Sequence, residues 1–296
     1  MKVALVVNPF ASRVSQERLA HVRAELERVA ELDVVLTERP GHATELVTDA
    51  GRSGAEAVVV FSGDGGFNEA LNGLESDVPI GFLPGGGTSV LPRALGVARD
   101  PVEAARQVAD ALASGHSRRI SVGRVNGRRF GFGAGIGLPA EVVRRVDELG
   151  RRIDGRRPGD LAFARAVFRS IAARRGRLEP QLEIAGVGRA TAAFVANTSP
   201  YTYAGRLSLP IARGAAFEQG LDIVAPVDVT PVAVPFAVVR VLTGHVGGER
   251  FLRAHDLDRI EIRCDGPLPL HVDGEDLGDV EDATFEAERS AVSVLV

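Results

Sequence analysis

Hydrophobic and polar positions change period several times along this 296-residue chain, and each change predicts an element. Lys2 to Val7 is a short apolar run that reads as a strand, Val14 to Ala30 recurs at helical spacing, and Asp33 to Thr37 reads as a second strand. Gly41-His42-Ala43 opens a helix through about Ala50. Val58-Val59-Val60-Phe61 is then apolar without interruption, as suits a strand covered on both faces of a parallel sheet. Ala70, Leu71 and Leu74 return to helical spacing. Pro79 to Leu83 predicts another strand, followed by a short helix through about Leu95 and a longer one from Val102 to Ala113 that ends at Gly115. Strand and helix alternate throughout residues 1–117, which predicts a doubly wound parallel sheet.

Beyond Gly115 the period shortens. Residues 118–133 and 178–197 read as strands, often alternating as in Leu182-Glu183-Ile184, with further strands near 221–227 and 258–264. A β-rich second domain over 118–283 follows, with about 284–296 left open as a completing piece of the first.

A hydrophobic content of 45% is enough for two cores, and a net charge of −4 with a pI near 5.9 argues against a general nucleic-acid binder. Lys2 is the only lysine, so no Gly-x-x-x-x-Gly-Lys-Ser/Thr phosphate loop exists. The single cysteine, Cys264, alternates with Ile260 and Ile262 and is expected as a buried thiol in a reducing cytoplasm. The apolar start is cut short by Asn8-Pro9, and residues 229–243 are interrupted by Pro231, Pro235 and Arg240. A soluble or peripherally bound protein is expected.

The chemistry concentrates in two glycine loops, each after a strand and before a helix. In Ser62-Gly63-Asp64-Gly65-Gly66, glycine N–H groups and the following helix N-terminus favour a phosphate. Asp64 beside phosphate needs a cation or a proton to accept; a tight turn with a solvated aspartate is the plain alternative. Gly85-Gly86-Gly87-Thr88-Ser89 adds a second cradle with hydroxyl donors, and the two together predict a polyphosphate held from two sides. Asn8 could bond a nucleotide or its own loop. Late in the chain, Asp273-Gly274-Glu275 is a hairpin signal by default and makes Glu275 a candidate general base if it faces the glycine loops. His271 is expected packed rather than catalytic. The stretch 144–177 holds eleven arginines against four acids. Arg144, Arg145, Arg151, Arg152, Arg156 and Arg157 could rim an apolar face for an anionic membrane, or snorkel from an ordinary amphipathic helix.

In this order the motifs resemble the lipid kinases that share the diacylglycerol kinase catalytic domain, including sphingosine kinases and bacterial diacylglycerol kinases. Asn8-Pro9 looks like their opening motif. Ser62 through Glu69, with Asn68, and then Asn72-Gly73-Leu74 resemble their Gly-Asp-Gly nucleotide motif. Leu83 through Thr88 and on to Gly96 resembles the second phosphate loop, and Gly133 to Gly137, Gly220-Leu221-Asp222 and Asp273-Gly274-Glu275 resemble β-domain motifs. The resemblance implies a nucleotide domain joined to a β-sandwich-like domain with inserted helices, with ATP and Mg²⁺ between them and a lipid hydroxyl as acceptor at a membrane surface. It implies that Asp64 and residues 63–66 and 85–88 hold ATP and metal, that Glu275 or Asp64 is the base, and that Asp222 assists through metal or hydrogen bonds. Many relatives pair, so a homodimer stays open.

Val90 stands where many relatives carry an acid, Pro139 where they carry an aspartate, and Glu218-Gln219-Gly220 replaces a more acidic run, which weakens an accessory metal site. Two rivals remain: a kinase of a soluble hydroxyl compound such as a nicotinamide nucleotide, and a non-catalytic lipid or nucleotide sensor.

Overall fold

The computed structural model describes residues 1–75, 77–149, 165–167, 169–170, 178–204, 207–228, 236, 239–241, 243–246 and 248–296. Contacts divide them into two units. One comprises Met1–Ile120 and the terminal Ser290–Val296; the other holds the described residues between Ser121 and Arg289.

The first unit alternates strand and helix as far as β4, which two helices follow: β1 (Lys2–Val7), α1 (Gln16–Leu26), β2 (Glu31–Leu36), α2 (His42–Arg52), β3 (Ala57–Ser62), α3 (Asp64–Gly73), β4 (Ile80–Pro84), α4 (Val90–Ala94) and α5 (Pro101–Ser114). Its strands run in the order β2-β1-β3-β4, all parallel, and Val294 near the chain's end pairs with Ile80 outside β4. β3 is buried at every position, because α1 packs with α5 and α2 with α3 to cover both faces. Local chemistry fixes the helix limits. Ser15 Oγ accepts the Arg18 N–H, so α1 starts two residues later than the hydrophobic pattern alone suggests. Asp100 accepts the Val102 and Glu103 N–H groups, Pro101 occupies the first turn of α5, and Gly115 closes it at φ 67°. The strand order reverses between β1 and β3, the place where such sheets bind ligands beyond their carboxyl ends.

The second unit is largely antiparallel. It contains β5 (Arg118–Val125), β6 (Arg128–Phe130), β7 (Gly133–Ile136), α6 (Leu138–Glu148), β8 (Leu182–Ile184), β9 (Gly188–Ala190), β10 (Ala193–Ala196), β11 (Thr202–Ala204), β12 (Leu207–Leu209), β13 (Leu221–Pro226), β14 (Phe251–Leu257), β15 (Arg259–Val272) and β16 (Glu275–Val294). β15 makes the layers: its first half pairs with β8 at Ile262–Cys264, its second half with β7 at Leu270–Val272, and the register shifts between Arg263 and Leu268. One bent strand thus serves two sets of partners around a core that includes Phe130, Ile136, Val195, Ile223, Ile262 and Phe285. Cys264 lies in that core beside Ile260 and Ile262, and burial pushes its thiol up to about 11. β14 and most of the long β16 were not legible as strands, since Arg253, His255, Asp256, Glu281, Asp282 and Glu286 break the apolar alternation on their open faces.

A polar knot is buried inside this unit. Asp273 and Gly274 turn β15 into β16 with positive φ at both residues, 48° and 80°, the geometry that Asp-Gly favours in tight hairpins. The Asp273 carboxylate accepts the N–H groups of Gly131, Phe132 and Gly133 at 2.7, 2.9 and 3.1 Å. Tyr201 Oη donates to the Ala134 carbonyl at 2.7 Å and lies 2.9 Å from His271 Nε2, so His271 carries its proton on Nε2. His271 Nδ1 is buried with no hydrogen-bond partner among the described residues. A Cβ on Gly133 would meet Tyr201 at 2.7 Å, and one on Gly135 would meet His271 Nε2 at 2.9 Å, which accounts for the alternating glycines of β7.

Burial lowers the His271 pKa from 6.5 to about 4, with Asp276 acting in the opposite direction. Between those values the unfolded chain binds more protons, so stability is full above pH 6.5 and falls as pH drops toward about 4. The loss is on the order of a few kcal/mol. Urea midpoints measured across this window should fall in the wild type and flatten in His271→Gln; an identical pH slope in the variant would refute this.

Candidate functional site

The two glycine loops meet backbone to backbone. Gly85 N–H donates to the Ser62 carbonyl at 2.7 Å, Asn8 N–H to the Phe61 carbonyl at 3.0 Å and Arg13 N–H to the Gly85 carbonyl at 2.9 Å, so the ends of β1, β3 and β4 are tied into one rim. A Cβ on Gly86 would stand 2.9 Å from the Gly63 Cα, and one on Gly66 would stand 2.1 Å from Ser62 Oγ. Ser62 is buried, and its hydroxyl has no partner among the described residues. Gly87 and Thr88 are exposed at the tip of the second loop, whereas Ser89 is buried at φ 47° with its hydroxyl on the Gly86 carbonyl.

Asp64 answers its own puzzle in a way the sequence did not suggest. Its Oδ1 accepts the Val90 N–H at 2.7 Å and the Leu91 N–H at 3.4 Å, capping α4 from the neighbouring loop. Position 90 therefore contributes a backbone donor where an acid is absent. Three further candidates serve the scaffold. Asn8 Oδ1 accepts the Phe10 N–H, an Asx turn; Glu69 accepts the Gly41 and Ala43 N–H groups at 2.8 and 3.1 Å, capping α2; and Asn68 is fully buried. Gly63, Gly65, Gly66 and Gly86 remain partly open on the rim.

The candidates of the second unit are also engaged. Glu275 opens β16, and the Arg128 guanidinium reaches its carboxylate at 3.4 Å. Asp222 is buried on β13, bonded to His255 Nδ1 at 2.6 Å and to the Asp256 N–H at 3.1 Å. Pro139, where an aspartate was expected by resemblance, sits in the first turn of α6 and packs on Gly135. Arg144 pairs with Asp276 and Asp279, which raises its pKa further, and Arg145 pairs with Glu141. α6 buries Val142, Val143 and Val146, so these two arginines ride on a packed amphipathic helix. Arg151, Arg152, Arg156 and Arg157 lie outside the described residues. Among the described residues no group of three or more His, Cys, Asp or Glu gathers as a metal cluster, and no helix is long and apolar enough to cross a membrane.

Residues 2–125 match the diacylglycerol kinase catalytic domain family. Over those residues the chain is similar to that family's catalytic domain. A diacylglycerol kinase of Bacillus subtilis strain 168 is 31% identical over 150 residues, which is 49% of this chain and 48% of that protein. The chain spans about half the length of the curated relatives it matches. The crystal structure of a candidate diacylglycerol kinase from Bacillus anthracis str. Sterne superposes with a TM-score of 0.77 at 21% identity, covering 99% of this chain and 96% of that one. An NAD kinase from Archaeoglobus fulgidus, in complex with ATP, superposes at 0.55 and 13% identity, covering 100% and 94%. These two establish the shared fold: a parallel α/β domain followed by a β domain.

The diacylglycerol kinase match contains Asn8 and both glycine loops, while Asp222 and Glu275 fall beyond it.

Because Gly63 and Gly86 touch through backbone, neither can yield cheaply. Gly86→Ala should cost about 1–3 kcal/mol in urea unfolding. Gly87→Ala, where a Cβ meets nothing, should cost much less. Equal losses at the two positions would show that the close approach is unimportant.

Proposed function

We propose that this chain is an ATP-dependent lipid kinase that transfers the γ-phosphate to a lipid hydroxyl. One observation carries the reading: two glycine loops held backbone to backbone at the carboxyl ends of β3 and β4, within a diacylglycerol kinase catalytic domain. Such a rim offers N–H groups to phosphate, and phosphoryl transfer depends mainly on positioning and charge stabilisation. The relatives' names, and the ATP bound to the NAD kinase of like fold, support the nucleotide and the class of reaction.

ATP suits the rim: Cβ-free backbone at Gly63, Gly66 and Gly86, exposed Gly87 and Thr88, and the unpartnered Ser62 hydroxyl are what a polyphosphate cradle needs. A Mg²⁺ site would be sparse, with Asp64 as protein ligand beside phosphate and water, in keeping with the few carboxylates such ions use. The ion would neutralise charge on the phosphates. Asp64 also holds α4, so it fixes the second loop whichever proton or cation it serves. Glu275 is the alternative base, and its carboxylate lies 3.4 Å from the Arg128 guanidinium. Asp222 enters through its hydrogen bonds to His255 and Asp256. The acceptor would be presented at a membrane surface.

The test is transfer of labelled γ-phosphate, with and without Mg²⁺, to a panel of lipids in mixed micelles and to soluble acceptors including a nicotinamide nucleotide. Label should enter one lipid class. Asp64→Asn retains the Oδ1 acceptor and the fold, yet should lower turnover on the order of 10²-fold or more, and Glu275→Gln should do the same if it is the base. Label confined to a soluble acceptor would overturn the lipid assignment, and no transfer at all would leave a binding protein.

A further inference from the structure

The two most exposed large apolar side chains among the described residues, Phe236 at 77% and Leu207 at 66%, belong to one lobe of the second unit, and Val239 at 59% joins them. Phe236 and Val239 are helical and three residues apart, the spacing of neighbours on one helix face. The other side is apolar too: Val241 and Val246 are buried with Tyr201, Ile211, Ala212 and Phe251. A helix that is apolar on both sides ordinarily has a cover on both. Here the inner side is covered, and Phe236 and Val239 stand in the open.

The lobe is firmly held. Arg213 donates to the Thr243 carbonyl from Nε at 3.1 Å and from Nη2 at 2.6 Å. The Arg240 guanidinium lies over the Phe251 ring, 5.4 Å from its centre, and its Nε donates to the His245 carbonyl at 2.8 Å. Gly244, at φ 65°, ends the helix so near Pro210 that a Cβ there would stand 2.0 Å from the Pro210 carbonyl oxygen. Pro210 follows β12, whose hairpin with β11 carries Leu207, and Tyr201 and Ile211 root that hairpin in the same core. Both exposed apolar elements therefore grow from one base. Charge adds a second signal. The chain has 39 Asp and Glu among 296 residues, yet none occurs from Ser199 to Phe217 or from Val229 to Gly248, where Arg206, Arg213, Arg240 and His245 occur. The hydrogen-bonding partners of the Arg213 side chain are the Thr243 carbonyl and His245 Nδ1, neither of them anionic.

We propose that this lobe docks the protein onto an anionic bilayer, with Phe236, Val239 and Leu207 entering the acyl boundary and Arg213 and Arg240 at the level of the lipid phosphates. The inference deepens the lipid-kinase reading above, on which it rests for a lipid acceptor, by naming the surface that meets the lipid. Aromatic and aliphatic side chains beside arginines are the composition of an interfacial anchor. Two acid-free segments favour a partner whose surface is uniformly negative, as an anionic leaflet is.

The chain contains no tryptophan, so Phe236→Trp places a single reporter at the point of entry. Leu36→Trp, on the exposed edge strand β2 of the first unit, is the control. With vesicles of phosphatidylglycerol and phosphatidylcholine, and no ATP, emission of Phe236→Trp should shift to the blue and be quenched by brominated acyl chains, while Leu36→Trp changes little. In sedimentation with the same vesicles Phe236→Gln should bind about tenfold more weakly or worse, as expected for one large apolar side chain, with its melting temperature unchanged. Added salt should weaken the wild type as well. No vesicle binding, or binding with an unquenched reporter, overturns the assignment. So does a reporter already blue-shifted without vesicles in a concentration-dependent way, which would make this face a contact between two copies of the chain. Transfer of labelled phosphate to the same vesicles separates the two readings. Docking without transfer to any lipid would overturn the kinase reading and leave the docking surface standing; transfer without docking through Phe236 would do the reverse.

Discussion

The close approach of Gly63 and Gly86 is the contact on which the first unit's site depends. Two loops whose backbones touch leave no room for side chains between them, and backbone hydrogen bonds tie the one to the other. Ser62 gives its carbonyl to Gly85, and Gly85 gives its own to Arg13. Asp64 completes the lock by placing a carboxylate oxygen on the first N–H groups of α4. A negative charge at that helix start offsets the dipole of a helix too short to stabilise itself. The aspartate therefore organises the loop before any ligand arrives, and its value to chemistry follows from a position that the scaffold already enforces.

Much of this was legible in the residues because the first unit obeys local rules. Unbroken apolar runs gave β1, β3 and β4, and glycine clusters after two of them marked the rim. What could not be read was which polar groups look outward. Asn68 and Glu69 sit two and three residues past Gly66, yet helical rotation turns Asn68 wholly inward and carries Glu69 to the start of α2. A motif is linear, whereas a helix distributes consecutive residues around its axis by about 100° each. The second unit was harder still. β16 and β14 carry charged residues on open faces, and β15 changes partners halfway, so neither strict alternation nor an apolar run was available.

The second unit also shows how a default reading and a family motif can both hold at one place. Asp273-Gly274 is a hairpin turn, as the dipeptide alone predicts, and its carboxylate simultaneously fastens the chain entering β7. Removing that acceptor would strand three buried N–H groups. The turn fixes where Glu275 begins its strand, so a structural aspartate sets the position of a candidate base two residues away.

Charge distribution links the two levels. With one lysine among 35 cationic residues, the protein relies on guanidinium groups, which are always charged and bind carboxylates in defined geometry. Among the described residues most therefore lie in ion pairs, Arg144 with Asp276 and Asp279 being the fullest example. A global charge of −4 then says little about where a polyanion could bind. The informative quantity is local: which arginines the fold leaves without a carboxylate, and what else faces them. Among the described residues of the first unit, Arg13 in the loop leaving β1 makes no ion pair, and its backbone N–H is held by the Gly85 carbonyl of the second glycine loop.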